Sequence, residues 1–139
     1  MPATPDFLAI SRGLTGLPNL DTALGADYEA ALTGTLATDL ASLLALYNAG
    51  PATAPDPEEA LRQALAGAAA SLHLVAREII ALWFTGQGTA LPSGLPRFAT
   101  LGARHYAGGA LWAVIQAHPP GYTNAGYGAW AQPPAIPIP

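Results

Sequence analysis

The chain has 139 residues with no cysteine and no lysine, and its five arginines face nine carboxylates for a net charge of −4. That length supports one hydrophobic core without covalent staples, the missing cysteines exclude a disulfide framework, and the missing cationic cluster argues against nucleic acid and against a polybasic membrane anchor. Half of the residues are apolar (51%) and only 10% are charged, whereas soluble domains carry about a quarter charged residues, so either a transmembrane protein or a subunit that hides surface against another chain is implied.

The N-terminal stretch Met1-Pro2-Ala3-Thr4-Pro5-Asp6 has neither a basic n-region nor an apolar h-region, so no export signal is expected in it. Thr4, Pro5 and Asp6 read as an N-cap, a first-turn proline and an acid on the helix dipole. They open a short helix through Phe7, Ile10 and Leu14 that ends at Gly13 or Gly16. Asp21 is a second N-cap candidate, leading into Leu24, Tyr28, Ala31 and Leu32, with a break or bend expected at Gly34 and Thr35. Leu36, Leu40, Leu43, Leu44 and Tyr47 continue an amphipathic stripe as far as the stop Asn48-Ala49-Gly50-Pro51.

Residues 51–57 read as an exposed loop. Asp56-Pro57-Glu58-Glu59 is the clearest helix start, with a side-chain cap, a proline, two first-turn acids and Glu59 at the capping-box position. The helix it opens carries Leu61, Leu65, Ala68 and Leu72 toward Gly86, with a bend near Gly67. On its last turns Leu72, Val75, Ile79, Leu82 and Trp83 share one side, while Leu74, Ile80 and Phe84 point elsewhere, some of them beside His73 and Arg77. Such a helix has apolar surface for its own domain and more for a partner. The most apolar window, residues 61–84, contains Arg62, His73, Arg77 and Glu78 and is a poor membrane span, which favours the buried subunit over the transmembrane protein.

Residues 87–96 read as a loop, and a last helix is predicted over 100–116 with Leu101, Gly108, Leu111, Trp112 and Ile115 on one face. Gly108 is expected to permit close approach to an alanine-rich helix such as residues 66–70. No run alternates long enough for a sheet, and no repeat is present. The expected architecture is all-α, a small helical bundle of about four to six helices over residues 1–116. An extended tail rich in proline, glycine and aromatics follows over 117–139 and wraps the domain or a partner.

A catalytic constellation is not legible. His73, His105 and His118 are far apart in sequence and have no ligand-spaced companions, so each reads as a satisfied core or interface residue. Glu58 and Glu59 are explained by the helix dipole. Arg77 and Glu78 are adjacent and do not face each other on a helix, so each is expected to pair elsewhere; a solvated edge is the expected setting, the alternative being a buried arginine that meets a partner's carboxylate. Gly86-Gln87-Gly88 follows a helix, so it lacks the strand-turn-helix context of a nucleotide loop. Ser11, Ser42, Ser71 and Ser93 have no elbow or neighbouring base. The tail says more, because Tyr122, Tyr127 and Trp130 are apolar bodies with polar tips of the kind that anchor interfaces; the other reading is a lid over the chain's own helices.

Five stretches in order carry a resemblance: Phe7 to Gly16 with Leu20-Asp21, Ala81-Leu82-Trp83-Phe84-Thr85-Gly86, Tyr106 to Trp112, Pro119-Pro120-Gly121-Tyr122, and Gly128 to Pro134. Together they resemble the small subunit of bacterial membrane-bound FAD-dependent sorbitol, fructose and glucose dehydrogenases. The resemblance implies a helical accessory subunit that binds no cofactor and supports the folding, stability or export of a large flavoprotein of the glucose-methanol-choline type. FAD then belongs to that partner and haem c to a third, cytochrome c subunit; the expected location is periplasmic, with membrane association through partners and no insertion by this chain. Contact candidates are Ile80, Phe84, Tyr106, Pro119, Pro120, Tyr122, Tyr127 and Trp130. Three features depart from the family pattern. The twin-arginine leader common on this subunit is not seen, Thr123 and Asn124 stand near where many relatives have a cysteine, and Ala107 and Gly108 stand where acids are expected after Tyr106. The substitution near Thr123 excludes a disulfide to the large subunit. The alternatives from other classes are a stand-alone helical binding protein with an apolar ligand pocket and an independent enzyme.

Overall fold

The starts of three helices are set by side chains that accept the otherwise orphaned first-turn N–H groups. In the computed structural model, which describes residues 3–98 and 101–115, Thr4 Oγ1 accepts the N–H of Phe7 at 3.2 Å. Asp21 Oδ1 accepts those of Ala23 and Leu24 at 2.8 and 3.0 Å, and Asp56 Oδ1 accepts that of Glu59 at 3.1 Å. These caps open α1 (Pro5–Thr15), α2 (Thr22–Asn48) and α3 (Pro57–Ala66); α4 (Ala70–Thr85), α5 (Ala103–Ala107) and α6 (Ala110–Val114) follow. The chain is all-α, and the only strand-like feature among the described residues is a single antiparallel bridge between Ala90 and Pro96.

Helix α1 ends at Gly16, one of its two expected stops, whose φ of 72° suits glycine. Other expected boundaries move. The bend in α2 falls at Leu36 (φ −130°, ψ 39°), two residues past Gly34, and the helix continues beyond it. Residues 51–53 form a 3₁₀ turn with Pro51 buried, so this stretch is not wholly an exposed loop. Instead of one helix bending near Gly67, the chain makes two, α3 closing at Gly67 and α4 starting three residues later. The two are tied by His73 Nε2, which donates to the Leu65 carbonyl at 2.5 Å.

By packing the chain divides into two compact units, Met1–Ile80 and Ala81–Pro139. In the first, α1 packs on α2 and on α3, and the 3₁₀ turn touches both α2 and α3. Phe7, Ile10, Tyr28, Leu32, Leu43, Leu61, Val75 and Ile79 are fully buried there. Glycine matters at the α1–α3 contact, where a Cβ on Gly13 would sit 3.1 Å from Leu61 Cδ2. Polar bonds pin α1 to α2: the Glu29 carboxylate accepts both the N–H and the Oγ1–H of Thr4 at 2.8 Å, and Asn48 Nδ2 donates to Asp6 Oδ2 at 3.3 Å. Because Glu29 thereby holds the capping residue of α1 in place, Glu29→Ala is expected to lower stability by roughly 1 kcal/mol, read as a shift in the urea midpoint. Glu29→Gln, which can still accept one bond, should recover part of the loss.

Candidate interaction surface

At about 100° per residue, the buried positions of α4, namely Val75, Ala76, Glu78, Ile79, Leu82 and Trp83, cover an arc of roughly 160°. Ile80 and Phe84, one turn apart, lie on the opposite side with exposed His73 and Arg77, and both are half-buried. The expected two-sidedness of this helix is therefore present. Leu72, expected in the buried stripe, is only half-buried because it sits in the first turn. Glu78 is a correction: placed at a solvated edge by its neighbour Arg77, it is 0% exposed, since one step along a helix turns the side chain through nearly a third of a circle.

Helix α4 ends at Gly86, and here glycine is required. Its φ is 71°, and a Cβ would come within 1.8 Å of the His105 carbonyl oxygen. The following loop turns tightly, with Gly94 N–H donating to the Leu91 carbonyl at 2.8 Å and Leu91 N–H to that of Leu95 at 2.9 Å. The single helix predicted over 100–116 is in fact α5 and α6, separated by Gly108 and Gly109. A close approach is made by Gly109, whose missing Cβ would lie 2.6 Å from the Phe84 carbonyl oxygen at the end of α4, and the break lets the backbone of residue 109 reach it.

Tyr106 is half-buried and its ring meets Trp112 edge to face, with centroids 5.2 Å apart and planes at 68°. Trp112 Nε1 donates to the Tyr106 carbonyl at 2.8 Å. Ala110 and Ala113 are buried, whereas Leu95, Leu111, Val114 and Ile115 are exposed. The remaining sequence-predicted contacts, Pro119, Pro120, Tyr122, Tyr127 and Trp130, lie outside the described residues, as does His118.

Of the histidines, His105 is buried and its Nδ1 accepts the N–H of Gly102 at 3.1 Å, a helix-start role. His73 is exposed and committed to Leu65. Among the described residues no three His, Asp or Glu side chains group to hold a metal ion. A groove of about 380 Å³ lies in the first unit between α1 and α3, lined by Gly13, Leu14, Asp56, Glu58, Glu59, Leu61, Arg62 and Leu65. Its rim is charged: Arg62 pairs with Glu59 through two N–H groups, and Gln63 Nε2 donates to the same carboxylate at 2.9 Å. Those bonds hold Glu59 below the usual carboxylate range, the Arg62 hydrogen bond being the largest cause, and they occupy the carboxylate expected to complete a capping box.

Residues 61–84 are expected to be the most apolar window, but among the described residues Thr22–Thr53 is the segment long and apolar enough to cross a membrane, by length and composition. Its best window has a mean hydropathy of 1.3 and is 22% buried. Periodicity hid this, because the bend at Leu36 offsets two stripes and made the helix read as two short ones.

A family model described as membrane-bound FAD-containing D-sorbitol dehydrogenase matches residues 1–134. The chain belongs to this family. It is a small subunit of such dehydrogenases, as the ordered motifs from Phe7 to Pro134 imply. Membrane-bound FAD dehydrogenase complexes are thus its setting. Neither the curated proteins nor the solved structures contain a match to the chain.

Proposed function

We propose that this chain is the non-catalytic small subunit that binds, stabilises and helps export a large FAD-dependent sugar or polyol dehydrogenase of the glucose-methanol-choline type. In this reading FAD is held by the partner and haem c by a cytochrome c subunit. The complex works on the periplasmic side of the membrane and is held there by partners. The observation that carries it is the group of large apolar side chains left exposed in a chain with few charges to solvate them, Leu95, Leu111, Val114 and Ile115, because exposed apolar surface marks association. Ile80, Phe84 and Tyr106 join the contact together with Pro119, Pro120, Tyr122, Tyr127 and Trp130 of the tail. Helix α2 also contributes to the core of its own unit, where Tyr28, Leu32, Leu40, Leu43 and Tyr47 are buried and Glu29 is bonded to Thr4.

Coexpression tests this directly. The flavoprotein chain is expected to copurify with this chain in a fixed ratio, and its soluble yield to fall about tenfold when this chain is omitted, a change that corresponds to about 1.4 kcal/mol if it reflects a shifted folding equilibrium. Normal yield and activity of the flavoprotein expressed alone sink the proposal.

A further inference from the structure

We draw no further inference here: the strongest candidate, the apolar surface patch left exposed on α6 at Leu111, Val114 and Ile115, carries none because nothing in the structure shows what covers it.

Discussion

Replacing Trp83 by alanine is expected to destabilise the isolated chain by about 3 to 5 kcal/mol. The indole is only 4% exposed and lies on the buried arc of α4 with Val75, Ile79 and Leu82. Truncation removes the largest apolar side chain on that arc, and the helix backbone on either side limits how far the surroundings can collapse into the space. Urea unfolding followed by far-ultraviolet circular dichroism should show the midpoint falling with little change in slope. Trp83→Phe should retain most of the stability, because the ring volume is largely kept. A shift below about 1 kcal/mol for the alanine variant is incompatible with burial in the isolated chain and would assign Trp83 to the partner contact.

Gly86→Ala should be nearly as damaging, about 3 kcal/mol or more. Two effects add. A φ of 71° is unfavourable for any residue with a Cβ, and the new carbon would meet the His105 carbonyl oxygen at 1.8 Å and its carbon at 2.1 Å. That neighbour is backbone, so relief requires moving the start of α5 rather than turning a side chain. Gly67→Ala is the matched control, because nothing lies within 4 Å of a Cβ there; its effect should stay within about 0.5 kcal/mol. Equal losses for the two variants in thermal or denaturant unfolding would show that helix termination alone, without the close approach, explains the glycine at 86.

Much of the chain's local order was readable because it depends on neighbours in sequence. A cap needs an acceptor two or three residues before the N–H it satisfies, so Thr4, Asp21 and Asp56 announced three helix starts, and Gly16 and Gly86 announced two ends. The apolar spacing around Val75, Ile79, Leu82 and Trp83 likewise identified the buried side of α4 and left Ile80 and Phe84 across from it. The ordered family motifs, from Phe7 to Pro134, were readable for a related reason: they are strings of residue types, and the family match runs over residues 1–134. Errors arose where a side chain had a choice of partners. Glu59 had the spacing of a capping box, yet Arg62 and Gln63 take its carboxylate. The predicted 100–116 helix had acceptable periodicity, yet Gly109 breaks it to reach the Phe84 carbonyl.

By itself, then, the sequence determined that this is an all-helical, lysine-free, cysteine-free subunit with more apolar surface than one small domain hides, since composition, caps and periodicity are properties of residues close together along the chain. Only the tertiary structure decided that Glu78 is buried while Arg77 beside it is exposed. It also decided that Gly109 comes up against the Phe84 carbonyl and that Leu95, Leu111, Val114 and Ile115 are the large apolar side chains left exposed among the described residues. Each of those outcomes depends on which atoms from distant positions arrive at the same place, and neither spacing nor propensity carries that information.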